Sequence, residues 1–346
     1  MDRFLSLSAA VFAAGFLLFT ACSKGPSPER ELVEVTFSVQ PDGEGTRTTA
    51  NLAADEKKII RWALLLYQEG KLIHCGTITP SGTIRQSLSP GDYEAYAIVN
   101  YPKSGPRKFR PDLMLDKTQL HAYVTDLQDN ADYRFVMSGS RQITVVGHDG
   151  TQVLPVERLV CKTGIRKVTL SAEAPPLLRN AFVLKAIYLT NCLRSSGFRA
   201  DPVPGDLPAD LSQWAHPMQY RPEDDLDPLL ADREIDKAIT PELPYTVPHY
   251  FYCYPNPTDV SEDTRAAQWA PRCTRMVLEA QVGSRTCYYS ITLPSLKRNR
   301  TYIADEVVIR SYGSSDPEQV IPGSIEVVFS TGTQEWSPEF NIIEDS

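Results

Sequence analysis

Val33-Glu34-Val35-Thr36-Phe37-Ser38-Val39-Gln40 sets an apolar side chain at every second position. That is the period of a strand with one face buried. The loop after it, Pro41-Asp42-Gly43-Glu44-Gly45-Thr46-Arg47-Thr48, is polar and glycine-containing and holds one arginine. Strand signals continue outward from there. Residues 59–67, IIRWALLLY, form a near-continuous apolar run of strand length. Glu69-Gly70 turns the chain before Leu72-Ile73, and Pro80-Ser81-Gly82 is a second turn. Pro90-Gly91-Asp92 precedes the alternating run YEAYAIVN at 93–100. The spacing predicts one short helix over 116–127 with Asp116 as N-cap, and a strand over 133–146 interrupted at Gly139. Residues 32–154 therefore read as one β-sandwich domain with a helical crossover.

A second series starts at Val156 and runs to Leu170, followed by a strand candidate at 181–190. Residues 201–248 are rich in proline and aspartate with little periodicity, and read as an insertion with one helix at 229–238. Strand signals resume at 250–254, 275–282, 287–293, 301–311 and 324–330, with Gly283-Ser284-Arg285 as a hairpin turn. The expected fold class is all-β with a few short helices. The second domain spans 155–346 and ends in a stretch that carries Trp336, Phe340, Ile342 and Ile343.

The chain begins with an apolar run over residues 4–19, shorter than the roughly 20 residues of a bilayer-spanning helix. It reads as a signal peptide over 1–21. The small residues Thr20 and Ala21 precede Cys22, the arrangement of a bacterial lipobox in which the thiol is acylated (palmitate is a typical acyl chain) and the leader removed. Residues 22–31 are polar and hold proline and glycine, as a tether would. Ser23 leaves no aspartate after Cys22 to retain the protein at the inner membrane, so the expected location is the outer membrane, lipid-anchored and surface-exposed.

Net charge is −8, which argues against nucleic acid as a partner. An exported chain permits disulfides, but Cys161, Cys253 and Cys287 lie inside apolar runs, and free thiols are expected there. No CxxC, HExxH, GxSxG, P-loop or GxGxxG occurs. His74, His121, His148, His216 and His249 are dispersed. The acidic run Glu223-Asp224-Asp225-Leu226-Asp227 lacks the spacing and glycine of an EF-hand and reads as a solvated loop. Tyr250, Tyr252, Tyr254, Tyr288 and Tyr289 fit core and sheet face better than a sugar-binding platform. No catalytic residue, metal or cofactor is indicated, and the chain reads as a structural protein.

Several stretches together are similar to one family. Asp55-Glu56-Lys57-Lys58-Ile59 leads into the strand ending at Tyr67. Arg158 and Lys162 (RLVCK) head the second domain. Leu296-Lys297-Arg298-Asn299 precedes Tyr302, then Gly313-Ser314-Ser315-Asp316-Pro317 and Trp336. Tyr250-Phe251-Tyr252-Cys253-Tyr254-Pro255-Asn256 supplies an aromatic strand. With the lipobox, these resemble the fimbrillins, lipoprotein-precursor subunits of Bacteroidales (type V) fimbriae. The resemblance implies two transthyretin-like β-sandwich domains and head-to-tail assembly with other fimbrial subunits by donor-strand exchange. It also implies an Arg-specific protease that cuts the loop after the first strand, here at Arg47-Thr48. The donor strand would come from the C-terminal end, either 324–330 or the stretch holding Trp336, Phe340, Ile342 and Ile343. An uncut chain would keep its lipid and serve as a basal anchor. A carbohydrate-binding surface lipoprotein is the remaining alternative.

Overall fold

The computed structural model describes residues 32–41, 56, 58–78, 82–148, 150–198, 201–216, 226–258, 270–329 and 334–335. Its N-terminal half contains β1 (Val33–Pro41), β2 (Trp62–Gln68), β3 (Lys71–Ile78), β4 (Ile84–Leu88), β5 (Gly91–Val99), β6 (Val124–Asp126), β7 (Met137–Val145) and β8 (Gly150–Arg158). Seven of these form one sheet in the order β3-β2-β5-β7-β8-β1-β4. The sheet folds over on itself between β7 and β8, which pair only at Met137–Arg158 and Ser138–Glu157. Gly139 sits at that corner. A Cβ there would lie 1.8 Å from the Pro155 carbonyl oxygen, so no larger residue fits. The fold-over encloses Val33, Val35 and Phe37 of β1 with Trp62, Leu64 and Leu66 of β2 and Ala95, Ala97 and Val99 of β5.

β2 is buried on both faces, which is why its sequence is continuous rather than alternating. Ala63, Leu65 and Tyr67 point into a second, larger core shared with the C-terminal half. Asp116 starts a helix as expected, through a capping box with Gln119. That helix, α1 (Lys117–Ala122), ends well before Leu127. A second capping aspartate, Asp126, opens a separate 3₁₀ segment at Leu127–Tyr133, and β6 lies between the two.

The C-terminal half follows with β9 (Cys161–Ile165), β10 (Val168–Leu170), α2 (Pro176–Ala181), β11 (Phe182–Thr190), β12 (Cys192–Leu193), β13 (Ser195–Gly197), β14 (Trp214–Ala215), α3 (Asp227–Leu230), β15 (Ala231–Asp232), β16 (Lys237–Ala238), β17 (His249–Cys253), β18 (Arg275–Val282), β19 (Arg285–Thr292), β20 (Arg300–Ile309), β21 (Ile325–Phe329) and β22 (Gln334–Glu335). One sheet runs β10-β20-β9-β17, with β21 and β22 along β20. The other runs β15-β11-β18-β19, with β16 along β11. Their inner faces, including Phe251, Ala304 and Val307 on one and Leu184, Leu278 and Tyr289 on the other, meet in the larger core. The expected strand series from Val156 splits, because Val156–Arg158 completes β8 in the first sheet and pairing in the second begins only at Cys161. The fold is all-β, with short helices.

The proline-rich segment differs from expectation. In place of a helix over 229–238 there is a single turn, α3, and then β15 and β16, both laid along β11. Trp214, Leu226, Leu229, Leu230, Ile235 and Ile239 are buried in the larger core. Pro228 at the start of α3 permits the turn, and the edge of β11 then captures the extended chain.

The Gly-Ser-Ser-Asp-Pro stretch caps the β18–β19 edge. Ser314 bridges to Tyr288, and a Cβ on Gly313 would lie 2.3 Å from the Tyr288 carbonyl oxygen. Glu318 anchors this loop. Its carboxylate accepts from Arg272 at 3.1 Å and Asn191 at 3.3 Å, and lies 3.6 Å from His216 Nε2. Arg275 donates to its carbonyl. Burial by itself would raise this carboxyl. Hydrogen bonding and charge from His216, then Arg275 and Asn191, bring it down to about 2 from an ordinary 4.5. A depressed carboxyl stabilises the fold above its unfolded value and loses that contribution as pH falls from about 4.5 toward 2. The shift corresponds to about 3 kcal/mol. Glu318→Gln should therefore be less stable at pH 7 and show a flatter loss of unfolding free energy between pH 4.5 and 2, measured by denaturant titration at each pH.

Candidate functional site

β1 lies between two strands of opposite sense. It pairs antiparallel with β4, Val33 opposite Leu88 through Phe37 opposite Ile84. It pairs parallel with β8, Val35 opposite Gly150 through Pro41 opposite Val156. Val33, Val35 and Phe37 point inward and are 4%, 3% and 0% exposed. At about 1.5–3 kcal/mol for each such side chain, their burial contributes on the order of 6 kcal/mol as an upper estimate. Among the described residues β4 has no other strand neighbour. Removing β1 would open a groove with unpaired backbone on β8 and leave β4 without a ladder.

Nine residues beyond Arg47, the chain is pinned. Glu56 is buried, and its Oε1 accepts from Lys162 Nζ at 2.8 Å and from the Tyr252 hydroxyl at 2.7 Å. Its backbone carbonyl accepts from Arg158 Nε at 3.2 Å and Nη2 at 3.1 Å. Arg158 Nη1 donates to Asn299 Oδ1 at 3.1 Å. Asn299 sits in the left-handed region (φ 52°) and donates its backbone N–H to the Val160 carbonyl. Burial lowers the Arg158 guanidinium to about 10, with Glu56 and Tyr252 opposing the shift. Lys162 Nζ also lies 4.4 Å from the Tyr250 ring centre. Asn100, again left-handed, extends the clamp by donating to the carbonyls of Lys58 and Phe135 and accepting from Ile60 N–H. Stretches that are far apart in sequence, DEKKI, RLVCK, the aromatic strand and KRN, thus converge on one buried latch.

The other residues singled out from sequence fall as follows. Cys22, Arg47, Thr48, Trp336, Phe340, Ile342 and Ile343 lie outside the described residues. Tyr252, Tyr254 and Tyr289 are buried and Tyr250 and Tyr288 half-buried. The Tyr254 hydroxyl contacts Thr125 and Asn130 and donates to the Asp126 carbonyl. These tyrosines form no exposed platform. Of the acidic run, Leu226 and Asp227 are described, and Asp227 pairs with Arg233. Among the described residues no group of His, Cys, Asp and Glu is arranged to hold a metal. The six described cysteines are unbridged, with Cys161 and Cys253 Sγ 3.4 Å apart.

Sequence reasoning did not find one cavity, of about 480 Å³, beside β17. His249 lines it, with Nδ1 3.0 Å from Asp232 and Nε2 2.7 Å from the Tyr245 hydroxyl. Burial and then Asp232 push that phenol up.

Breaking the latch on one side strands a buried charge, which costs about 3–5 kcal/mol. Lys162→Met should cost that much by denaturant midpoint. Glu56→Gln combined with Lys162→Met should cost clearly less than the two single changes summed, as a double-mutant cycle would measure.

Neither a family model nor a curated protein sequence matches the chain. Solved structures do match its fold. A Bacteroides eggerthii protein provisionally assigned to cell adhesion superposes with a TM-score of 0.61 at 16% identity, covering 88% of this chain and 96% of that one. Porphyromonas gingivalis fimbrilin (FimA) gives 0.58 at 13% identity, covering 86% and 96%. The tip fimbrial protein Mfa3 of the same organism, solved with a C-terminal truncation, gives 0.54 at 14%, covering 88% and 100%. Over nearly its whole described length, the chain has the fold of the Bacteroidales fimbrillins.

Proposed function

We propose that this chain is a structural subunit of a cell-surface fimbrium. It is made as an outer-membrane lipoprotein acylated at Cys22 and assembles by strand donation after an Arg-specific protease cuts Arg47-Thr48. The placement of β1 supports this reading. β1 ends six residues before Arg47, and the latch takes hold at Glu56 beyond it. One cut in the intervening loop separates a strand that can leave from a body whose new N-terminal segment stays fastened. The vacated groove offers unpaired backbone to a strand from a neighbour, with alternate side-chain sites giving register. A head-to-tail contact of that kind does not close on itself and builds a filament. Two sandwich domains that meet at the latch form the rigid unit, and the chain acts as no enzyme. The fimbrial fold of the solved structures agrees with this role. If the chain stays uncut, the lipid and β1 remain and the protein is the basal anchor instead.

The test is the intact mass and N-terminal sequence of protein recovered from the cell surface. A chain beginning at Thr48 is expected, with fibres visible by electron microscopy. An acylated Cys22 with Arg47 still internal would overturn the polymerising role.

A further inference from the structure

Cys161 and Cys253 stand opposite one another in the antiparallel pair of β9 and β17. Directly opposite residues point to the same face of a sheet, with Cα atoms about 4.5–5.5 Å apart, within the roughly 4.4–6.8 Å that a disulfide spans. Among the described residues no other two cysteines face each other in a sheet. Cys75 is opposite Leu65, Cys192 opposite Ala215 and Cys287 opposite Ala280. Cys161 and Cys253 are both 0% exposed, and their Sγ atoms lie 3.4 Å apart. Apolar surroundings taken alone favour free thiols. The register adds what a single strand does not show, a second thiol held at contact distance by backbone pairing. We propose that Cys161 and Cys253 form a disulfide in the exported protein, an oxidative modification that joins β9 to β17 beside the latch. This rests on the export in the reading above and not on strand donation.

Its position ties the bond to the latch. Lys162 and Tyr252, one residue along each strand, are also directly opposite, and both hold Glu56 Oε1. β17 is the outer strand of its sheet and pairs with β9 alone among the described strands. A bond between Cys161 and Cys253 would fasten this edge where the latch bears on it. It would close a loop whose ends are 92 positions apart and which contains the proline-rich segment. Closing so long a loop removes conformations from the unfolded chain and raises the temperature of unfolding.

The chemistry is thiol–disulfide exchange, with a small disulfide such as oxidised glutathione as the oxidant. One cysteine attacks the small disulfide and releases one of its thiols. The second cysteine attacks the resulting mixed disulfide and releases the other. The Sγ–Sγ bond forms, the small S–S bond breaks, two electrons pass to the oxidant, and the two cysteine protons end on its released thiols. Attack needs a thiolate. In the folded chain burial, and then contact with Cys253, hold the Cys161 thiol well above its ordinary 9.0. Contact with Cys161 draws the Cys253 thiol down, but contact with Cys192 and burial hold it well above 9.0 as well. The exchange therefore takes place while the chain folds, before the two strands are covered, and burial afterwards shields the bond from reductant.

Protein recovered from the cell surface is denatured in the presence of iodoacetamide and mapped by mass spectrometry. Cys161 and Cys253 are expected to be joined, with Cys75, Cys192, Cys273 and Cys287 alkylated. Alkylation of all six would overturn the bridge and leave export standing, because the sample came from the surface. A bond to Cys192 in place of either partner would overturn the pairing. A second measurement does not depend on location. Purified chain from any source is reduced, unfolded in urea, and refolded with oxidised glutathione or with dithiothreitol. The oxidised sample should have a Tm at least about 5 °C above the reduced one. Cys192→Ala should keep that difference, while Cys161→Ala and Cys253→Ala should each abolish it. No difference in the parent, or one that survives the loss of Cys161 or Cys253, would overturn the proposal.

Discussion

β4 reaches the rest of its sheet through β1, its one strand neighbour among the described residues. That dependence governs the N-terminal half. β1 supplies a ladder in both directions, antiparallel to β4 and parallel to β8, and closes a core with three inward side chains. A strand so placed is held by several kcal/mol. Its loss would leave unpaired backbone on β8 and β4, a template for another strand.

The latch has the opposite character. Glu56, Lys162, Tyr252, Arg158 and Asn299 come from segments up to 243 residues apart, Glu56 to Asn299, and are fully enclosed. A buried ion pair adds little net stability over a hydrophobic substitute, but it tolerates no partial disassembly. Here its geometric demand fixes where the chain enters β2, because the Glu56 carbonyl and carboxylate are both engaged. Asn100 repeats the device one turn of chain later, through Lys58 and Ile60. In sequence, Arg47 thus lies between β1 and the latch residue Glu56.

The larger core crosses from one half of the chain to the other. Tyr67, Tyr96 and Ile98 from the first sheet share it with Leu184, Phe251 and Ala304. The proline-rich segment covers part of this core instead of looping away from it, which explains how so irregular a sequence carries so many buried leucines and isoleucines. Close approaches at Gly139 and Gly313 set corners that no side chain would permit.

Much was legible in the sequence because it depends on local periodicity. The alternation in 33–40 and the two-faced run at 62–67 are each decided by which neighbouring positions are apolar. The Asp116 cap and the Gly283 turn are decided by backbone chemistry within four residues. The helix expected at 229–238 failed for the complementary reason. Short apolar spacing in a proline-rich segment suits a helix or an extended chain equally, and the free edge of β11 chose the second. The tertiary structure alone decided that Glu56 meets Lys162 and that β4 depends on β1. Those are facts of long-range contact, set by how sheets fold over and pack, and no local pattern in a single chain encodes them.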